Sequence, residues 1–381
     1  MVDARDDDHL RNRIAGLDLL RASAIALVVV YHALPLFSVA PFFPALRWLN
    51  GGWLGVDLFF VLSGFLIGDI LLRTGVRLGE SRILLGFWIG RWGRTLPAYY
   101  LFLGFNVLLQ RAFFNWPFGS WTGLGPYFVF TQNLTGRIPP FFFESWSLAV
   151  EEWFYIVAPI ALWALVRVRV GFPAAFCGTL AVMLSTPVLL RELNPGAADT
   201  AHGVAQVVVY RFDAIGYGMV AAALLGRYPE FLNKWRRGIL GVGLALSAGF
   251  YAYLCGANLE SSWFSRVVLP SLIPLGFALM LPWAATRDSL GRGRFERWVT
   301  AISRQSYSLY LVNIPTSVLV FFLVSRRLPL GYRTVAFTVA IYLVACLLLS
   351  AGLWRWFEAP VMQARARFSV FREAAMARKR R

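Results

Sequence analysis

The sequence predicts an all-α polytopic membrane protein of about ten transmembrane helices, with both termini cytoplasmic. Three observations carry this. Of 381 residues, 58% are hydrophobic and 15% charged, where a soluble chain carries roughly a quarter charged residues. Apolar windows of about 20 residues, the length that crosses a bilayer, recur without strand-like alternation. Only helices and closed barrels satisfy their own backbone in lipid, and this pattern selects helices. The third observation is where the base lies. The net charge is +17, and the only lysines are Lys234 and Lys379. The arginines sit between apolar runs rather than in one patch, which fits anchoring at membrane lipids and points away from nucleic acid as a partner.

The spans are expected at 17–38, 53–72, 96–113, 147–166, 172–190, 209–226, 238–256, 267–285, 306–325 and 334–356. With the N-terminus inside, 26 of the 37 basic residues fall in inner segments and nine in outer ones. That ratio, near three to one, is the one expected of inner loops, and an odd number of spans breaks it. The opening MVDARDDDHLRNR has no short apolar stretch with a small-residue cleavage site after its charges. The first span is therefore expected to stay as an anchor.

That first span contains RASAIALVVVYHA, residues 21–33. Arg21 and His32 lie 11 residues apart, about three helical turns, so they share a face about 16 Å apart along the axis. In this topology Arg21 is near the cytoplasmic end and His32 at or beyond mid-membrane. Of three histidines, His32 is the only one in a span. Ionisable groups inside a membrane are costly and so are functional candidates. A histidine bonding a neighbouring helix is the plainer alternative, and the matched Arg21 favours function. The second span, GGWLGVDLFFVLSGFLIG, offers Gly55, Ser63, Gly64 and Gly68 for close helix packing. Its Asp57, near the outer end, needs a partner.

RWGRTLP precedes the third span on the cytoplasmic side. Arg91 and Arg94 are three apart, one face if helical. Two guanidiniums at a membrane mouth suit a phosphate ligand. They also suit plain inner anchoring, which the sequence alone favours. The outer loop of 114–146 is long and aromatic, as befits either a structured cap or an interfacial belt. Within it Asn133-Leu134-Thr135 matches a glycosylation sequon, in a chain with no other eukaryotic sign. SWSLAVEEWFYIVAP opens the fourth span. Glu151 and Glu152 are adjacent, so only one faces the bundle. A carboxylate beside His32 would orient its tautomer and raise its basicity; a structural pair with an arginine is the alternative. RFDAIGYG opens the sixth span, where Arg211 and Asp213 form either an internal salt bridge or a ligand site. His32, Asp57, Glu151, Glu152, Arg211 and Asp213 thus collect on the outer side, and Arg21, Arg91 and Arg94 on the inner side. The expectation is a polar path with an anion-friendly inner mouth and an acid/base group further out.

Cys177, Cys255 and Cys346 have no metal-like spacing and read as small core residues, so no metal is expected. No tandem repeat and no soluble domain is visible. Residues 1–360 read as one membrane domain and 361–381 as a basic cytoplasmic tail, its AMARKRR anchoring to anionic lipid.

Arg21 with His32, GVDLFFVLSGFLI, RWGRTLP, SWSLAVEEWFY, RFDAIGYG, SYSLYLVN (306–313) and FEAP (357–360) run in the order seen in the acyltransferase 3 family. The chain resembles that family over nearly its whole length. The resemblance implies a bacterial inner-membrane enzyme of about ten helices. It implies transfer of an acyl group, usually acetyl from acetyl-CoA, to a hydroxyl of a surface glycan, a glycolipid or a secreted small molecule. It makes Arg21 and His32 the essential pair, Arg91 and Arg94 the paired arginines before the third span, and Glu151 the fourth-span carboxylate. Two departures stand out. Relatives often have histidine where this chain has Asn313. Many also carry an extracytoplasmic hydrolase-like domain, which here implies either complete transfer by this chain or a separate extracytoplasmic transferase. CoA is then expected to enter from the cytoplasm onto Arg91 and Arg94, with Arg21 nearer the thioester. His32, oriented by Glu151 or Asp57, is expected to act as general base or transient acyl carrier. The rival from another class is a transporter or flippase with a proton-relay histidine, which broken helices and two symmetric halves would favour.

Overall fold

The structure, a computed structural model, describes residues 13–33, 44–113, 121–136, 142–194, 201–256, 262–291, 293–325 and 332–368. Among these the regular elements are all helical. The principal helices are α1 Ala15–His32, α2 Leu54–Thr74, α3 Ser81–Phe113, α4 Ser145–Arg167, α5 Phe172–Leu193 and α6 Phe212–Arg227. They continue as α7 Pro229–Gly256, α8 Leu269–Ala278, α9 Arg294–Arg304, α10 Ser306–Ser325, α11 Tyr332–Leu353 and α12 Ala359–Phe368. π-helical turns at Phe264–Val268 and Trp354–Glu358 lead into α8 and α12. Among the described residues eight helices are long and apolar enough to cross a membrane.

The two expected spans outside that set are helices with a reason to differ. The span expected at 96–113 is the second half of α3, which begins at Ser81 and runs 33 residues, about 50 Å. RWGRTLP therefore lies inside a continuous helix rather than ahead of one. Pro97 sits within α3, as prolines do in membrane helices whose neighbours compensate the lost hydrogen bond. The span expected at 209–226 is α6, only 16 residues and about 24 Å long.

α2 is the centre of the bundle and packs most closely on α6. Small residues permit this. A Cβ on Gly64 would stand 1.9 Å from the Ile215 carbonyl oxygen, and one on Gly218 would stand 2.1 Å from that of Val61. The helices touch backbone to backbone, so dispersion contacts replace the missing side chains. Gly64→Ala should cost about 1–3 kcal/mol or more through overpacking. It should lower the thermal midpoint of the detergent-solubilised protein, whereas an unchanged midpoint would rule out so close a contact. Away from the centre the helices turn apolar side chains outward, as with Leu244, Leu348 and Leu349. A broad apolar exterior of this kind suits lipid rather than water.

The described parts of the long loop form a folded cap: a 3₁₀ turn at Trp121–Leu124, a helical turn at Gly125–Phe128, then tight turns. Its backbone is held by the bundle. Tyr99 Oη donates to the Tyr127 carbonyl (2.7 Å), and Trp153 Nε1 donates to that of Phe130 (2.9 Å). The Asn133 amide donates to the carbonyls of Trp146 and Gln206. Asn133 is fully buried, so the sequon has no room for a glycan. Residues 114–120 and 137–141 of the loop, and the tail from 369 on with its AMARKRR, lie outside the described residues. Cys255 and Cys346 are buried as expected, but Cys177 is exposed on α5.

Candidate active site

α1, α2, α3, α4 and α10 meet around a cavity of ≈ 110 Å³, room for several waters. Arg21, Ser63, Arg91, Arg94, Glu151, Tyr155 and Tyr310 line it. The register of α3 explains two of these: Arg91 and Arg94 fall on one side of a helix already two to three turns long.

The hydroxyl of Tyr155, fully buried on α4, ties the cavity together. It donates to Glu151 Oε2 at 2.8 Å. Its single proton is thereby used, so Ser63, 2.6 Å away, must be the donor in that pair. The Arg91 guanidinium donates to the same oxygen and lies over the Tyr155 ring, 4.2 Å from its centroid. Arg94 reaches the cavity but makes no hydrogen bond among the described residues; Glu358, Tyr155 and Glu151 are near it. Glu152 faces the other way, as adjacency demands. It accepts from Trp92 Nε1 and Thr95 Oγ1, both at 2.9 Å, and so joins α4 to α3.

Arg21 is partnered by a residue the sequence reading passed over. Its Nη1 lies 3.0 Å from Asp18 Oδ1, one turn earlier. Asp18 is buried and also takes two bonds of 2.8 Å from Arg13 and one of 2.8 Å from Ser303. Two guanidiniums on one carboxylate leave Arg21 with donors to spare, at 21% side-chain exposure.

The remaining charged positions separate into buried ion pairs. Asp57 pairs with Arg211, whose Nη1 also donates to the Pro270 carbonyl at 3.1 Å. Asp213 pairs with Arg191 at 2.6 Å and accepts from Ser271 at 2.5 Å. Both pairs are almost fully buried. Of the alternatives left open for Arg211 and Asp213, the structure therefore gives each a salt bridge, though with different partners. Asp57 and Glu151 are engaged by Arg211 and Tyr155, and neither is hydrogen-bonded to His32.

His32 ends α1 and does not line the cavity. Asn313 on α10 is its side-chain neighbour, and Ser317 Oγ donates to its carbonyl at 2.9 Å. Among the described residues its Nδ1 is buried without a well-formed hydrogen bond, with the Asn313 side chain and the Val28 carbonyl within reach of the ring. The cavity ends toward α10 at Ser147 and Tyr310, whose hydroxyls bond each other. Tyr310 is one turn from Asn313, the neighbour of His32, on α10. The expected division into inner arginines and outer carboxylates thus fails for Glu151, which lines one cavity with Arg21, Arg91 and Arg94. The physical reason is that α3 carries its arginines well into the bundle.

The two C-terminal motifs support the same region. Tyr307 Oη donates to the Thr95 carbonyl (2.8 Å), and Ser308 Oγ donates to Glu358 Oε1 (2.7 Å). SYSLYLVN is thereby tied to both α3 and FEAP. Among the described residues no cluster of three His, Cys, Asp or Glu side chains is close enough to hold a metal.

A family profile described as an acyltransferase domain matches residues 14–355. A peptidoglycan O-acetyltransferase of Listeria monocytogenes is 32% identical over 183 residues, 42% of this chain and 25% of that protein. A protein of Bacillus subtilis, provisionally named a peptidoglycan O-acetyltransferase, is 37% identical over 164 residues, 39% of this chain and 24% of its own. A Staphylococcus aureus protein, provisionally named an O-acetyltransferase, is 32% identical over 205 residues, 48% of this chain and 30% of its own. The matched segment thus spans a quarter to a third of these curated relatives. No solved structure matches.

Proposed function

The chain belongs to the acyltransferase 3 family, and from that premise we propose that it is a membrane-embedded O-acyltransferase. It moves an acyl group, most simply acetyl from acetyl-CoA, to a hydroxyl of a glycan. The observation that carries this is the convergence of Arg21, Arg91 and Arg94 on one cavity, with Arg94 making no hydrogen bond among the described residues. Planar guanidiniums with unused donors are suited to phosphates, and a CoA thioester is an acyl donor that presents them. The relatives named for peptidoglycan make a cell-wall glycan the first acceptor to try.

In this reading the chain sits in a bacterial inner membrane with ten spans and both termini cytoplasmic. Residues 1–360 form the membrane domain, and 361–381 a basic tail at anionic lipid. Arg91 and Arg94 hold the phosphates, Arg91 kept in place by Tyr155, and Arg21 stands nearer the thioester. His32 takes the acceptor's hydroxyl proton through Nδ1 as the oxygen bonds to the acyl carbon and the carbon–sulfur bond breaks, and that proton then passes to the departing CoA thiolate. Alternatively His32 carries the acyl group between donor and acceptor. The transporter reading has less support, because the family is one of acyltransferases.

The test is transfer from labelled acetyl-CoA into an alkali-sensitive product, in inverted vesicles holding the host's own glycans and no ion gradient. Incorporation without a gradient supports the enzyme. Absence of both incorporation and acyl-CoA binding would return the transporter. Within the same assay, Arg94→Ala should raise the KM for acetyl-CoA by roughly tenfold or more, the worth of charged hydrogen bonds to phosphate, with kcat little changed. A fall in kcat at constant KM would place Arg94 at the reacting atoms instead.

A further inference from the structure

Beyond the Ser147–Tyr310 pair lies a polar group that the scheme above leaves unused. Glu144, immediately before α4, is 1% exposed, and among the described residues neither of its carboxylate oxygens has a hydrogen-bond partner. The Tyr310 hydroxyl is hydrogen-bonded to its backbone, and Tyr310 and Tyr342 are near its side chain. Tyr310 Oη donates to the Glu144 carbonyl at 3.2 Å and lies one turn from Asn313 along α10. Tyr342 Oη donates to the Val29 carbonyl at 3.0 Å, one turn from His32 along α1. The Glu144 side chain therefore lies among the same helices that bring His32 and Asn313 together.

Among the described residues four buried atoms of these side chains make no well-formed hydrogen bond: both Glu144 carboxylate oxygens, Asn313 Oδ1 and His32 Nδ1, although the His32 and Asn313 side chains lie within reach of each other and the Val28 carbonyl within reach of the imidazole. The Asn313 amide is already spent on the carbonyls of Leu309 and Tyr310, so its oxygen is what remains on offer. Native proteins rarely leave so many buried polar atoms without a partner, and the Glu144 oxygens and Asn313 Oδ1 can only accept. What would satisfy them is a ligand rich in donors. Hydroxyl groups fit that requirement; phosphates, which only accept from protein donors, do not.

We propose that Glu144, Asn313 and His32 form the acceptor subsite, which takes the hydroxyls of a saccharide, Glu144 holding one hydroxyl while another meets His32 Nδ1. The inference rests on the O-acyltransferase reading and adds a residue to it. Glu144 is a substrate-binding residue in this scheme, set apart from the arginine cavity.

The experiment measures binding of two probes to the detergent-solubilised full chain: a disaccharide fragment of peptidoglycan, and acetyl-CoA. Wild type is compared with Glu144→Gln and Glu144→Leu. The expected result is a loss of disaccharide affinity of roughly tenfold or more in Glu144→Leu, a smaller loss in Glu144→Gln, and acetyl-CoA affinity unchanged in both. Unchanged disaccharide affinity in Glu144→Leu overturns the subsite. So does a parallel loss of both probes, which would mark Glu144 as structural. Wild type that binds acetyl-CoA but no disaccharide overturns the subsite and leaves the donor cavity standing. Wild type whose disaccharide binding depends on Glu144 but which binds no acyl-CoA keeps the subsite and sinks the acyltransferase reading.

Discussion

His32→Ala is expected to lower acyl transfer by about 10²–10⁴-fold, the usual contribution of a positioned acid–base group, while acetyl-CoA binding stays near the wild-type level. The split follows from position. The arginines line the cavity and His32 does not; His32 lies beside Asn313, one turn along α10 from the cavity residue Tyr310. Removing the imidazole should therefore leave the donor side intact and disable the step beyond it. Turnover of labelled acetyl-CoA and its equilibrium binding, measured on the same membranes, check both halves. Equal losses in turnover and binding would mean that His32 belongs to the donor cavity after all. A single-turnover experiment without acceptor separates the two remaining roles, because only an acyl carrier leaves label on the protein.

The second large effect concerns stability. Asp57→Ala should prevent the protein from accumulating. The substitution strips Arg211, 1% exposed, of its ion-pair partner and leaves near it only Asp213, which is already paired with Arg191. Breaking a buried pair from one side costs about 3–5 kcal/mol, a large share of the roughly 5–15 kcal/mol that holds a typical domain together. Replacing both partners with apolar residues of similar volume, Asp57→Leu with Arg211→Met, should recover much of the loss, since no charge is left stranded. The readout is yield and thermal midpoint in detergent. A single variant as stable as wild type, or a double variant worse than either single, would contradict the pairing.

Most helices were legible because apolar length and the distribution of arginines are strong one-dimensional signals. α3 was cut short because Arg91, Arg94 and Pro97 look like a boundary when read along the chain. In three dimensions the cavity takes in the guanidiniums and the neighbouring helices absorb the proline. Arg21, Arg91, Arg94 and Glu151 stood out as charges in apolar surroundings, and the structure brings all four to one cavity. Tyr155, Ser63, Ser147 and Tyr310 did not stand out, because neutral hydroxyls in a chain with 14 tyrosines carry no pattern of their own. Asp18 could have been found as the acid three residues before Arg21, a helical neighbour by spacing alone. The partners of Asp57 and Asp213 could not. Arg211 is 154 residues from the first and Arg191 is 22 from the second, and only tertiary packing chooses between them.

The separation of the arginines from His32 also bears on how the enzyme would meet the membrane's electric field. Carrying one elementary charge across the membrane involves about 2.3 kcal/mol per 100 mV, and a CoA thioester carries several. With its phosphates retained by Arg91 and Arg94, none of those charges need travel. On the proposed scheme the acyl carbon moves toward His32 and leaves its electron pair on the CoA sulfur as a thiolate. The proton taken by His32 returns to that thiolate, so no net charge crosses, and a cell that loses its membrane potential would keep this modification as long as its acyl-CoA lasts.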